Sequence, residues 1–149
     1  MPGVKWRLFN VWGPFLGAGI RLDHVSPDFR EVDVSMKLHF WNANYLGTHY
    51  GGSLYSMTDP FYVVMLVENL GPEYIVWDKA AKIRFLRPER GQVFAKFRLS
   101  DEMIAEVRTR AEVGKPIEPV FSVQVLNGEG AVVAEVEKTV YVRKRNGTS

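Results

Sequence analysis

The chain of 149 residues suits one domain with a single core and is too short for two, so we expect residues 1–149 to form one unit. Hydrophobic residues make up 46% of the chain and charged residues 24%, which excludes a disordered or fibrous protein. The net charge of +2 is scattered, which argues against a nucleic-acid partner, and the lack of cysteine excludes disulfides and thiolate chemistry.

The N-terminal segment, residues 5–19, is broken by Asn10 and Pro14, and we interpret it as a short helix that docks on the core. Elsewhere no stretch approaches the roughly 18 apolar residues that span a bilayer. We therefore expect a soluble, cytoplasmic protein with no membrane partner.

Two strands follow, at residues 20–25 and 30–40. In the second, the side chains from Val32 to Phe40 alternate between apolar and polar, which predicts a half-buried strand. The turn residues Ser26-Pro27-Asp28 join the two strands and predict a hairpin.

The next segment, from Leu54 to Val67, has almost no polar face before Gly71-Pro72 ends it. A helix that is apolar nearly all round must be buried nearly all round. In a chain of this length only a strongly curved sheet could wrap it.

Four more strands are predicted around residues 81–85, 93–99, 120–126 and 131–142, the last two joined by a turn at 127–130. A short helix with Ser100 as its N-cap lies between the second and third of them. The expected fold is α+β: a curved, mostly antiparallel sheet of six strands around a long central helix, with an N-terminal helix and a short inserted helix.

Standard catalytic motifs are absent. Gly51-Gly52-Ser53-Leu54-Tyr55 lacks the last glycine of a nucleophile elbow, and the chain has no glycine-rich phosphate loop. His24, His39 and His49 do not have the spacing of metal ligands. We therefore expect neither a metal nor an organic cofactor.

The passage from the second strand into the apolar helix carries the most chemistry. Gly51 and Gly52 allow close backbone approach, and unpaired amides at a helix start would attract an oxygen gaining negative charge. Asp59 lies in an otherwise apolar helix, which favours its protonated form unless a donor compensates. A poised carboxylate and an oxyanion site are parts of an acyl-transfer hydrolase.

Distance adds a constraint on these two groups. Asp59 lies seven residues beyond Gly52, which is about 10 Å along a helix and too far for both to act on one thioester carbon. If they act together, the glycine amides of one chain must meet the aspartate of a second chain. The hypothesis therefore implies an isologous homodimer with two equivalent sites.

The same passage resembles the hotdog-fold acyl-CoA thioesterases of the phenylacetyl-CoA (PaaI) type, in a poorly characterised branch. The matching positions are Asn44, Gly47, Gly51, Gly52 and Asp59, followed by the turn Phe85-Leu86-Arg87-Pro88 with Gly91. The resemblance implies hydrolysis of an acyl or aryl thioester of coenzyme A by a homodimer or a dimer of dimers. It also implies that the helix carboxylate activates water or attacks directly.

The chain departs from this motif in that Tyr50 stands where the family has histidine, and His49 is displaced by one position. Tyr50 or His49 could still donate a hydrogen bond to the thioester carbonyl and complete the oxyanion site with the glycine amides, but tyrosine is not a base near neutral pH. A non-catalytic acyl-CoA-binding protein is therefore the alternative function. Enoyl hydration is a third, and would need His49 beside the aspartate.

Several residues have two possible roles. Asp59-Pro60 could begin a helix, with Asp59 as a cap, and the two glycines could serve close packing only. Asn44 could orient the substrate or Asp59, or brace its own loop. Ser56 and Thr58 could orient a water molecule or bond back to the helix.

Three further residues are candidates for substrate binding. Arg84 and Arg87 could neutralise coenzyme A phosphates, or could be part of an ordinary solvated strand face. Trp41 could line an acyl or aryl pocket, together with Phe40 and Tyr45, or could anchor a dimer interface.

Overall fold

The structure is a computed structural model that describes residues 3–112 and 114–147. Its strands are β1 (Ile20–Val25), β2 (Glu31–Met36), β3 (Tyr74–Phe85), β4 (Val93–Arg98), β5 (Val120–Asn127) and β6 (Val132–Lys144). They form one sheet in the order β1-β2-β4-β5-β6-β3, and every neighbouring pair is antiparallel. The predicted antiparallel sheet of six strands is confirmed.

The helices are α1 (Gly3–Arg7), α2 (Gly13–Ala18), α3 (Gly51–Ser56), α4 (Phe61–Leu70) and α5 (Asp101–Arg110), with a 3-10 turn at Leu8–Val11. The Ser100 hydroxyl accepts a hydrogen bond from the amide of Met103 (3.2 Å), which confirms the predicted cap of α5. Within the described residues, no helix is long and apolar enough to cross a membrane.

Aromatic rings join the N-terminal helices to the core. Phe61, at the start of α4, is fully buried, and its ring lies 5.0 Å from that of Phe97 in β4. The rings of Phe9 and Phe15 approach Phe61 to 5.9 and 5.8 Å. The N-terminal segment therefore docks on the core, as predicted.

The central helix is interrupted between α3 and α4. Pro60 has no N–H to donate to the preceding turn, and its ring crowds the carbonyl four residues earlier. The amides of Thr58 and Asp59 bond three residues back, to the carbonyl oxygens of Tyr55 and Ser56. The interruption places Asp59 at the junction of two helical segments.

Burial of α4 is one-sided, so the expectation that this helix is buried nearly all round is wrong for the single chain. Met65 and Leu66 are fully buried, whereas Val67 is 45% exposed and Glu68 is exposed. The sheet covers only one face of α4 and leaves an apolar side chain in solvent.

The second predicted strand is shorter than expected, and Phe40 lies outside it with 91% of its surface exposed. Met36 is the last residue of β2 because its partners run out on both sides: it pairs with Ile20, the first residue of β1, and with Val93, the first residue of β4. The alternating residues beyond Met36 therefore have no neighbouring strand residues with which to pair.

The strand β3 begins at Tyr74, well before its predicted position, and contains a β-bulge. Its register against β6 shifts between the pairs Asp78–Val140 and Ala80–Thr139, so Lys79 is the extra residue. The bulge interrupts the period-two pattern, which is why sequence analysis finds only the end of the strand. β3 is also an edge strand, so one side of its 12 residues is unpaired within the described chain.

Candidate functional site

The helix α3 begins at the predicted glycine pair. Tyr50 occupies the N-cap position with extended backbone angles (φ −68°, ψ 130°), and its carbonyl accepts from the amides of Ser53 and Leu54, each at 3.0 Å. Within residues 3–112 and 114–147, the amides of Gly51 and Gly52 donate no hydrogen bond. They are the free donors that an oxyanion site needs.

The two glycines also serve close packing. A Cβ at Gly51 would lie 3.0 Å from Cζ of Phe85, and one at Gly52 would lie 2.6 Å from Cε1 of Tyr50. A side chain at either position would press against an aromatic ring. Packing and free amides are therefore both present at this turn.

Asn44 braces the loop before α3. Its Nδ2 donates to the hydroxyl of Thr48 (2.8 Å), and its Oδ1 accepts from the amides of Leu46 (2.9 Å) and Thr48 (3.0 Å). Gly47, with φ +75°, makes the turn that these bonds require. The side-chain amide is thus engaged inside its own loop.

His49 is buried and holds the turn after β3. Its Nε2 lies 2.7 Å from the carbonyl oxygen of Gly91, and its amide donates to the carbonyl of Glu89 (3.0 Å). Tyr50, which stands where the PaaI-type motif has histidine, is 57% exposed. The two adjacent residues therefore differ in environment, and only Tyr50 lies at the surface.

The Asp59 side chain does not cap a helix. Pro60 is the N-cap residue of α4, and no side-chain bond caps that helix. Asp59 Oδ1 accepts hydrogen bonds from the Tyr55 hydroxyl (2.8 Å) and from Lys138 Nζ (2.9 Å). Within the described residues Oδ2 has no hydrogen-bond partner, and the side chain is 45% exposed.

The sequence suggested an apolar environment for Asp59. In the structure the carboxyl group instead accepts hydrogen bonds from two donors, the Tyr55 hydroxyl and Lys138 Nζ. Lys138, in β6, is fully buried and also contacts Asp78 Oδ1 (2.9 Å) and the Tyr55 hydroxyl (3.0 Å). Burial alone would lower the pKa of Lys138, but its hydrogen bonds to Tyr55, Asp78 and Asp59 outweigh burial and raise it. Burial raises the pKa of Tyr55, which keeps its phenol protonated.

Sequence analysis missed Tyr55, Asp78 and Lys138. One signal was present, because Lys138 falls on the otherwise apolar parity of β6, between Val136 and Val140. A lysine among inward-facing apolar residues is rarely buried without partners. The partners come from distant segments, which local alternation cannot identify.

Ser56 and Thr58 both bond back to the helix. The Ser56 hydroxyl donates to the carbonyl of Gly52 (2.8 Å), and that of the fully buried Thr58 donates to the carbonyl of Tyr55 (2.8 Å). Of the two roles considered for these residues, the contacts match the bond to the helix backbone.

Aromatic residues line a cavity of about 550 Å³ beside the start of α3, and they include Trp41, Tyr45 and Tyr50. Trp41 is 55% exposed and stacks on His39 with ring centroids 4.1 Å apart. The remaining lining residues are small or polar, among them Asn42, Ala43 and Ser53, and the cavity is large enough for an acyl or aryl group.

The two candidate arginines lie apart. Arg84 is on the outer face of the sheet, 3.6 Å from Glu135, whereas Arg87 lines a second cavity of about 280 Å³ with His49, Gly51 and Phe85. Of these two arginines, only Arg87 lies next to the turn at Gly51 and Gly52. The described residues contain no group of three or more side chains that could hold a metal ion.

The sheet and its central helix define a hotdog fold, which several solved structures share with this chain. The Pseudomonas aeruginosa protein PA5026, described as a probable thioesterase of unknown function, is 23% identical with a TM-score of 0.82, and 97% of each chain is covered. The Escherichia coli PaaI protein of the phenylacetic acid degradation operon is 16% identical with a TM-score of 0.64, covering 97% of this chain and 92% of that chain.

The thioesterase HI1161 from Haemophilus influenzae is 12% identical, with a TM-score of 0.66 over 93% of this chain and 88% of that chain. The family model described as a domain of unknown function, DUF4442, matches residues 3–142, and the chain belongs to this family. No curated protein matches the sequence. The predicted resemblance to the hotdog fold, in a poorly characterised branch, is confirmed.

Proposed function

We propose that the protein is a hydrolase that cleaves an acyl or aryl thioester of coenzyme A. The observation that carries this proposal is the Asp59 carboxylate, which is held through Oδ1 at a helix junction while Oδ2 remains free at the surface. Thioesterases among the proteins of the same fold support the reaction class. The motif match at Asn44, Gly47, Gly51 and Gly52 supports the same assignment.

The proposed site is shared between two copies of the chain. The free side of β3 offers 12 residues for pairing, and an unprotected edge of that length is normally covered. Val67, exposed on α4, and Phe85, 56% exposed at the end of β3, leave further apolar surface for a partner. In an isologous dimer the Gly51 and Gly52 amides of one chain would face Asp59 of the other.

The chemistry then follows from these groups. The amides, with the Tyr50 hydroxyl, would hold the thioester oxygen as it gains charge. Asp59 Oδ2 would take a proton from water as the water oxygen bonds to the acyl carbon; the carbon–sulfur bond then breaks, and the proton passes from Asp59 to the departing sulfur, which leaves the free acid and the coenzyme A thiol. Alternatively, Oδ2 would attack the acyl carbon itself, coenzyme A would leave as the thiolate and take a proton from solvent, and water would hydrolyse the resulting acyl–Asp59 anhydride to the free acid and the carboxylate.

The substrate would extend to both sides of the turn at Gly51 and Gly52. The cavity lined in part by Trp41, Tyr45 and Tyr50 would receive the acyl or aryl group, since these three rings offer it an apolar surface. Arg87, beside Gly51 in the smaller cavity, would attract the phosphates of coenzyme A. Arg84 is less suited to this role because Glu135 already pairs with it.

The test is thiol release from a panel of short, long and aryl acyl-CoA substrates by the wild-type protein and Asp59→Asn. We expect turnover to fall at least 100-fold in the variant, because the carboxylate would act in the transition state. Asp23→Asn, an exposed change in β1, is the matched control and should leave turnover unchanged. Equal turnover by wild type and Asp59→Asn would refute the assignment, and a mass of 17.0 kDa in light scattering, that of one chain, would refute the shared site.

A specific observation also favours the alternative, a non-catalytic acyl-CoA-binding protein. His49 is engaged with Gly91, and Tyr50 stands where the PaaI-type motif has histidine, so that position holds a phenol rather than an imidazole. This alternative predicts that acyl-CoA raises the melting temperature of the protein without any release of thiol.

A further inference from the structure

Lys138 uses its complete hydrogen-bonding capacity at the candidate site. A lysine ammonium has three donors, and here they contact Asp59 Oδ1, Asp78 Oδ1 and the Tyr55 hydroxyl at 2.9, 2.9 and 3.0 Å. The side chain itself has no exposed surface. A buried ammonium is tolerated only when it is paired and hydrogen-bonded in this way.

Stability alone does not explain a lysine at this position. The neighbouring inward residues of β6, Val136 and Val140, are apolar and fully buried, and an apolar side chain often stabilises such a position as well as an ion pair does. The two carboxylates, in contrast, keep 45% and 35% of their side-chain surface exposed. The buried cation therefore holds two anions that face outward.

We propose that Lys138 is the positioning residue of the site: its ammonium, with the Tyr55 hydroxyl, fixes Asp59 through Oδ1 so that the carboxyl group presents only Oδ2 to the substrate. This inference rests on the proposed function of Asp59. Asp78 is the second anchor, and it keeps the ammonium in place while Asp59 changes its charge or bonding during the reaction.

The charged groups that face Lys138 are few. Asp59 and Tyr55 approach from the helical segments, and Asp78 approaches from β3. The cross-strand partners of Lys138, Ala81 in β3 and Phe121 in β5, carry no charge. Removal of the lysine would therefore leave Asp59 beside a second carboxylate, with no compensating cation in this cluster.

The test compares Lys138→Met, which keeps the unbranched side chain to the Cε position without its charge, with Lys138→Arg, which restores a cation. Lys96→Met, in an exposed position of β4, is the matched control. For Lys138→Met we expect kcat to fall about 100-fold with little change in KM, because a misplaced catalytic group slows the chemical step rather than binding. Lys138→Arg should recover part of this loss.

A second measurement separates positioning from a merely structural role. Without the ammonium, Asp59 Oδ1 keeps only its bond to the Tyr55 hydroxyl, so a crystal structure of Lys138→Met should show the Asp59 side chain displaced or in more than one rotamer. This readout needs no substrate. Circular dichroism and thermal unfolding identify a variant that has lost its fold.

The outcomes distinguish the two proposals. A wild-type protein that hydrolyses no thioester would refute the proposed function, and the position of the Asp59 side chain in Lys138→Met would then decide whether Lys138 positions it. An unchanged Asp59 rotamer in folded Lys138→Met would overturn the inference about Lys138, whatever the activity. Equal losses of kcat in Lys138→Met and Lys138→Arg, with Asp59 in its wild-type rotamer in both, would also overturn it.

Discussion

The shared site can be tested by mixing two inactive variants. Asp59→Asn removes the carboxylate, and Gly51→Pro removes the first amide of α3. Proline is well suited to this first helical position, and the extended backbone of Tyr50 (ψ 130°) is the conformation that a following proline requires. The added ring carbon would meet the half-exposed Phe85 ring at 3.0 Å, which a small movement of that ring relieves.

The expected magnitude follows from the symmetry of the dimer. Loss of one oxyanion donor costs about 100-fold in kcat, so each variant alone should be nearly inactive. In a dimer with one chain of each variant, one site has both changes and the other has neither. Purification through both tags leaves only such mixed dimers, so the activity should return to about half of the wild-type value.

The assay is thiol release from the best acyl-CoA substrate, measured after the variants are co-expressed with different affinity tags and purified through both tags. Each variant co-expressed with itself is the control. If Asp59 and the amide of Gly51 act within one chain, the mixed dimer contains no native site and stays inactive. Failure of a mixed dimer to exceed its parents would refute the shared site.

Two further predictions concern stability. Phe61→Ala should lower the free energy of unfolding by about 3–5 kcal/mol in urea titrations, since the ring is fully buried against Phe97. Phe40 is 91% exposed, so Phe40→Ala should lower it by less than about 0.5 kcal/mol, and equal losses in the two variants would contradict the assigned core. The Gly91 amide, bonded to Glu89 at 2.7 Å, is the main group that lowers the pKa of that carboxyl below its ordinary value. The contribution of Glu89 to the stability of the folded state is therefore present above its unfolded pKa and is lost as the pH falls through its folded pKa. In thermal unfolding, the stability advantage of wild type over Glu89→Gln should shrink below about pH 4, and it would be constant with pH if Glu89 were unpaired.

The strands with uninterrupted alternation were predictable from local sequence. In β4, Val93, Ala95 and Phe97 are all buried, because a strand with one covered face records that face in every second residue. The edge strand β3 was only partly predictable. Its bulge at Lys79 breaks the alternation, and Ala81 is exposed although it lies on the apolar parity of the predicted strand.

The candidate site was predictable only in part. The spacing of Gly51, Gly52 and Asp59 pointed to one passage of the chain, and the structure places them at the start of α3 and at the junction with α4. Lys138 lies 79 residues beyond Asp59, and this contact depends on how β6 meets the helices. Pairing across such a separation is decided by the fold and leaves no local pattern.

The bulge at Lys79 determines the side of β3 on which the residues before and after it lie. Asp78 and Ile83 are five positions apart, an odd number, so a regular strand would point them to opposite sides. With one residue inserted between them, the first reaches the buried ammonium of Lys138 and the second packs on the core. Straightening the strand with Lys79 retained would turn one of the two side chains outward, whereas deleting Lys79 would leave them four positions apart and on the same side, so a variant that lacks Lys79 should keep both contacts.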